Sequence, residues 1–330
     1  MDTKSVDGAV EVLEIEAADY LGLPAVTRVE PRWRIEVVPR AQRPDVEDLE
    51  RDWVATVAAP AFRLLRAERG EAGCRRFLAL GAGPGVDALA AVEILGARDI
   101  GLTDLYEEVV AAAEGNVRRN LRPDHEVVLR LAAGDLAEPW RGAGVAFDLI
   151  YENLPNLPVA DPAALAVGRT SAAFFPPRPE LTPPPVARWL LTLHYLALAQ
   201  CRELLAPGGA FVAAIGARMP LGALSDMAEA AGYDFRPLTY GWKAQTDPLA
   251  LLPVYAGLQE RGFGPFHFYP GARLEEAFAG RDLSESGRSA AAIEGALDAD
   301  RLDAVAAWAA CQRGTRIGHA VVVLHATRRA

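Results

Sequence analysis

Phe77-Leu78-Ala79-Leu80-Gly81-Ala82-Gly83-Pro84-Gly85 runs from four apolar residues straight into a turn with glycine at every second position. The apolar run reads as a short buried strand. The residues after the turn, Asp87 to Leu95, read as a helix with Leu89, Val92 and Leu95 toward a core. Glycines in such a turn let the backbone come close to a ligand, and the helix start beyond them offers unpaired N–H groups. By itself the stretch reads either as a cofactor loop or as a tight strand-to-helix turn. The dinucleotide pattern G-x-G-x-x-G would need glycine where Val86 stands, which turns the reading away from NAD.

Working outward, the same texture repeats. Ile100 to Thr103 is a second strand ending at Asp104, and Glu107 to Leu121 a helix. Val127 to Ala132 is a third strand ending near Gly134-Asp135, and Phe147 to Tyr151 a fourth that runs into Glu152-Asn153-Leu154-Pro155-Asn156. After a proline-rich stretch, Val186 to Leu205 reads as one helix and Ala210 to Ile215 as a fifth strand. Leu221 to Ala231 is helical, Phe235 to Trp242 a sixth strand and His319 to Thr327 a last one. Alternating strands and helices joined by short connections predict a parallel sheet covered by helices on both faces. Ligands of such sheets sit at the carboxyl ends of the strands, where the marked residues fall. Asp104, about 20 residues beyond the glycines, is placed to accept from ribose hydroxyls, or to cap the next helix. Asp135 is placed to meet an adenine amino group, or to start a turn.

FLALGAGPG, LTDLYEEVV, AAGD, FDLIYENLP and ELLAPGGAFVAAIG, in that order, resemble the ordered motifs of class I S-adenosylmethionine-dependent methyltransferases over residues 76–216. The resemblance implies a seven-stranded Rossmann-like α/β sheet. It also implies S-adenosyl-L-methionine as cofactor, with S-adenosyl-L-homocysteine as product. Carried onto this chain, Gly81, Ala82, Gly83 and Gly85 would pass the methionine part. Asp104 and Leu105 would hold the ribose, Asp135 and Leu136 the adenine, and Asn153 would border the cofactor. The family's acid two residues before the first glycine is Ala79 here, so the amino end of the cofactor must be held in another way. Asn153-Leu154-Pro155-Asn156 is similar to the N-P-P-Y motif of methyltransferases acting on planar nitrogens. There the Asn side chain and the next backbone carbonyl orient the target NH₂. Leu154 and Asn156 depart from that motif, so Glu152 as acceptor or base and Tyr151 as a wall are read as alternative catalytic contacts. Pro155, Asn156, Phe174, Phe175, Arg178, Trp189 and His267 are the candidate acceptor-site residues. His267 is the histidine to test as a base.

The chain has 330 residues with a formal charge of −10, 51% hydrophobic and 24% charged residues. This balance allows a globular core and argues against bulk nucleic acid as partner. Cys74, Cys201 and Cys311 are scattered, which argues against a disulfide framework. No metal-ligand spacing appears among the five histidines. The acidic N-terminus lacks the layout of a signal peptide, and the most apolar run is interrupted by Arg188, His194 and Gln200. A soluble, cytoplasmic protein is therefore expected, with no membrane partner. Residues 1–70 are read as an N-terminal extension, either lid or dimerisation element, which leaves a homodimer open. Residues 71–246 are read as the cofactor-binding core, 247–316 as a helical insertion for substrate, and 317–330 as the core's final strand. The expected activity is methyl transfer to a small molecule, at nitrogen, of the natural-product tailoring kind. The alternatives are a protein-glutamine N-methyltransferase and a non-methylating protein that keeps the cofactor fold.

Overall fold

Apolar and charged residues alternate along Glu11-Val-Leu-Glu-Ile-Glu16 and Arg32-Trp-Arg-Ile-Glu-Val37, which turns Leu13, Ile15, Trp33 and Ile35 to one face. In the structure, a computed structural model that describes residues 10–157 and 180–329, these segments pair as antiparallel strands β1 (Glu11–Glu16) and β2 (Arg32–Val37). All four apolar residues are buried. Helix α1 (Ala17–Leu21) follows β1 and ends on Gly22, whose left-handed backbone stops it.

The chain forms two compact units. The first takes in residues 10–155 and 203–209. Its strands β3 (Arg76–Leu80), β4 (Asp99–Asp104), β5 (Val128–Ala133) and β6 (Phe147–Glu152) are parallel, with β3 paired to β4 and β6, and β4 to β5. Helices α2 (Ala59–Arg69), α3 (Val86–Ala90) and α4 (Glu107–Arg119) belong to this unit. The edge strand β5 is largely exposed, and Arg130 on it pairs with Asp99 of β4 at 2.7 Å.

The second unit takes in residues 156–157, 180–202 and 210–329. Strand β7 (Leu205–Ala217) begins in the first unit and continues in the second, where β10 (Ile317–Arg328) lies between it and β8 (Tyr233–Ala244). The sheet order is β5-β4-β3-β6-β7-β10-β8, with the two-residue β9 (Tyr269–Pro270) beside β10. The Rossmann-like α/β sheet expected from the sequence is present, with one feature that element order did not specify: the last strand runs antiparallel. Ten successive residues of β10 are buried, as befits a strand covered on both faces. The pairing of β10 with β8 slips between Val323 and Leu324, next to Pro237, which has no N–H to give the ladder. Helix α7 (Leu221–Ala230) comes between β7 and β8. Between β8 and β10 come α8 (Pro248–Glu260), α9 (Gly271–Phe278), α10 (Leu283–Arg288), α11 (Ala290–Leu297) and α12 (Ala304–Gln312), so the expected insertion is helical.

Two helices differ from expectation. The helical spacing of Leu49, Trp53, Val57, Leu64 and Leu65 predicts one helix over Asp48 to Arg69 with a kink at Pro60. It starts only near Trp53, where the Asp52 carboxylate accepts the Ala55 N–H at 2.8 Å and so caps it. Pro60 does not break it: a wide turn over Val54–Ala58 comes just before, and this absorbs the missing N–H. The helix predicted over Val186 to Leu205 is two helices, α5 (Pro184–Arg188) and α6 (Thr192–Cys201), parted at Leu190 with φ +59°. Tertiary contacts hold the break. Arg188 Nε donates to the Gly264 carbonyl at 2.6 Å, and Trp189 meets the ring of His267 edge-on at 5.9 Å.

Candidate functional site

In the first unit the three glycines after β3 have three different jobs. Gly81 (φ +67°) has Leu154 against it, with Cδ2 3.0 Å from where a Cβ would sit. Gly85 (φ +84°) lets α4 come close, its would-be Cβ 3.1 Å from the Ala113 carbonyl. Gly83 (φ +50°) has nothing within 4 Å of that position, so its bare backbone borders open space. Ala82 between them is buried, and its N–H donates to the Thr103 carbonyl at 2.9 Å.

Asp104 gathers the neighbouring loops. Its carboxylate accepts the Gly83 N–H at 3.1 Å, and its own carbonyl accepts the Gly134 N–H at 2.9 Å. Burial pushes this carboxyl up, while the backbone N–H groups of Gly83, Tyr106 and Leu105 draw it down. Asp135 is half-buried and its carbonyl accepts the Glu138 N–H at 3.0 Å. Leu136, buried at φ +50°, turns the chain sharply there. Leu105 is half-buried. The sequence-derived cofactor residues therefore converge at the carboxyl ends of β3, β4 and β5.

The end of β6 revises two expectations. Tyr151 is 1% exposed, its ring 5.0 Å from Phe62 and 6.4 Å from Phe77, so it belongs to the core rather than to an acceptor wall. Glu152 is 0% exposed and turns back on its own chain, accepting the Leu154 N–H at 2.7 Å. That bond ties the Glu152 side chain to the Asn153-Leu154-Pro155 turn. Asn153 is half-buried, and its amide makes no hydrogen bond to another described residue. Pro155 and Asn156 are half-buried, and Asn156 Nδ2 has no partner among the described residues.

Sequence reasoning missed Asp87. It lies in the first turn of α3, buried, with Oδ1 unpartnered among the described residues. Burial, then the carboxylate of Asp52, raises its pKa to about 7. The Tyr151 hydroxyl is also buried, has no hydrogen-bond partner among the described residues, and is pushed up by burial and then by Asp87. Nearby, Tyr20 donates to Asp52 Oδ1 at 2.8 Å. Ala79, which stands where the resembled motif carries an acid, is the register neighbour of Tyr151. The signal in the sequence is an acid inside the otherwise apolar VDALAAV of residues 86–92, which reads equally well as an ordinary helix start.

In the second unit, Trp189 is half-buried and His267 is 6% exposed, the two rings in contact. Burial, then Arg301, lowers His267 to about 4, so its imidazole is neutral at pH 7. The His267 N–H donates to the Arg218 carbonyl at 2.9 Å. Phe174, Phe175 and Arg178 lie outside the described residues. Among the described residues no group of three or more His, Cys, Asp or Glu is arranged to hold a metal, and no helix is long and apolar enough to cross a membrane.

No family model and no curated protein matches the chain. Among solved structures, it is similar to the YcgJ protein of Bacillus subtilis, at 14% identity over 82% of this chain and 99% of that one, with a TM-score of 0.42. It is also similar to a putative sarcosine dimethylglycine methyltransferase of Galdieria sulphuraria, at 12% identity over 84% and 88%, TM-score 0.40. A third is the cyclopropane synthase MmaA2 of Mycobacterium tuberculosis, at 11% identity over 88% and 89%, TM-score 0.39.

Proposed function

We propose that this chain is an S-adenosylmethionine-dependent methyltransferase acting on a small molecule, at nitrogen. The observation that carries the reading is the open backbone at Gly83, tied by its N–H to the Asp104 carboxylate. A Cβ at position 83 would fill that space, and Asp104 stands where a ribose would offer hydroxyls. The donor set also suits a cation. Asp87 Oδ1 and the Tyr151 hydroxyl are buried acceptors without a partner among the described residues, and a methionine ammonium would neutralise the first and donate to both. On this reading Asp87 takes over the task of the acid missing at Ala79.

The bound cofactor would supply an electrophilic methyl group, displaced directly by the acceptor. The chain's own residues would bind, orient and exclude water. Glu152 holds the Asn153 turn, and the uncommitted Asn153 amide accepts from the target nitrogen's hydrogens and so directs its lone pair. Residues 1–70 act as a lid over the ammonium end, to which Tyr20 and Asp52 already contribute. The fourth-strand motif by itself would favour a protein glutamine as acceptor. Leu154, packed under Gly81 where N-P-P-Y has proline, points instead to a small molecule.

Calorimetric titration of the purified protein with S-adenosylmethionine, S-adenosylhomocysteine and NAD tests the reading. Binding of the first two without NAD is expected, followed by labelled-methyl transfer to an acceptor from a small-molecule panel. No binding of either sulfur compound would sink the proposal. Binding with no transfer to any acceptor would leave a cofactor-holding scaffold.

A further inference from the structure

Three strands of the second unit bring polar side chains to one spot at their shared edge. Arg218 follows β7, Gln245 follows β8, and His319 stands near the start of the antiparallel β10. Gln245 Oε1 accepts from Arg218 Nε at 3.0 Å and from Nη2 at 2.8 Å. His319 Nδ1 lies 2.9 Å from the Ala320 carbonyl, which only accepts, so Nδ1 carries the proton. Nε2 is then the acceptor for Arg218 Nη2 at 2.6 Å. The rings of Tyr255 and Phe268 flank the guanidinium at 5.2 and 6.0 Å.

Gln245, His319, Tyr255 and Phe268 are all neutral, and among the described residues no carboxylate pairs with this cation. Crowding by its neighbours disfavours the charge, yet a guanidinium keeps its proton at any ordinary pH. Such a charge calls for an anion. The neighbours take the Nε and Nη2 hydrogens and leave Nη1, which bonds no described residue. Arg218 also keeps some accessible surface despite the crowding. Gly216 makes room for that nitrogen, since a Cβ there would collide with Nη1.

We propose that Arg218 Nη1 anchors an oxyanion site within the second unit, which takes a small molecule carrying a carboxylate or phosphate. That the site takes an anion does not depend on the methyltransferase reading.

The test titrates the full chain with benzoate and, separately, with inorganic phosphate by calorimetry, while the Arg218 Nε–H resonance is followed by ¹⁵N NMR. Arg218→Gln is titrated alongside. Saturable binding of either probe that moves the Arg218 signal, and weakens about tenfold or more in Arg218→Gln, supports the site. Which probe binds tells carboxylate from phosphate. Equal binding by the variant overturns the proposal, as does an unmoved Arg218 signal at saturating probe. The NMR arm decides the matter in the wild-type chain even if the variant fails to fold. S-adenosylhomocysteine titrated into the same samples separates the two readings. If it fails to bind the wild type while the anion binds, the methyltransferase reading falls and the anion site stands.

Discussion

A carboxyl group raised to about 7 by enclosure, as Asp87 is, makes both folding and ligand binding depend on pH. The unfolded chain loses that proton near its ordinary value of 3.8, whereas the folded chain keeps it to about 7. Between those values the folded state binds the extra proton, so stability falls as pH rises. The shift corresponds to up to about 4 kcal/mol. Asp87→Asn should flatten the stability profile over that window in urea melts at a series of pH values. A cation binding beside Asp87 must expel the same proton. Affinity for S-adenosylmethionine should therefore rise about tenfold per unit as pH approaches 7 from below, with proton release visible by calorimetry in buffers of different ionisation heat. Asp52, Tyr20 and Tyr151 also face Asp87, so loss of the pH dependence in Asp87→Asn is the decisive control; its persistence would assign the proton elsewhere. At the other two positions the expected effects divide. Asp104→Ala should weaken cofactor binding, while Asn153→Ala should lower turnover with cofactor affinity little changed. Full turnover in Asn153→Ala would remove the nitrogen-orienting role.

Between residue and fold, side-chain amides and carboxylates lace the first unit's elements together. Asn116 of α4 accepts the Glu36 N–H and donates to the Glu36 carbonyl, both at 2.8 Å, and donates to the Pro84 carbonyl at 3.0 Å. One turn on, Asn120 accepts the Arg34 N–H at 2.8 Å and donates to its carbonyl at 3.1 Å. Helix α4 thus serves as a hydrogen-bonding neighbour for β2 and steadies the glycine turn. Asn116→Ala leaves those backbone groups buried without partners and should destabilise by about 2–4 kcal/mol in urea unfolding. It should also weaken S-adenosylhomocysteine binding. Glu93 does similar work, its carboxylate accepting the Thr27 and Arg28 N–H groups at 2.8 and 2.7 Å. In the second unit Gly287 lets α10 lie on the β8 backbone, where a Cβ would collide with the Leu238 carbonyl. Gly287→Ala should cost about 1–3 kcal/mol by thermal melt.

Across the whole molecule, a cofactor bound at the carboxyl edge of the first unit should stabilise the folded chain by about 2.7 kcal/mol at one hundred times its dissociation constant. Hydrogen exchange should report where. S-adenosylhomocysteine is expected to protect residues 81–87, 104–106 and 134–136, whose amides form or border the Gly83 and Asp104 network. Protection confined to the second unit would contradict the assignment.

Strand-turn-helix order, the acids at strand ends and the bare glycines were readable from residue order, because each is a local property: apolar run length, backbone freedom, an acid beside a turn. Hydrogen bonds join Gly83 and Gly134 to Asp104, which brings the glycine turn and the Gly134–Asp135 turn together. Local order did not specify the antiparallel entry of β10 or the break at Leu190, since both depend on partners far along the chain. Tyr151 and Glu152 looked like contacts for a substrate because they follow an apolar strand. Only packing turned one into the core and the other onto the Leu154 N–H. Asp87 and Arg218 carry no motif at all. Their significance comes from what encloses them, and enclosure of a charge without a counter-charge is decided in three dimensions.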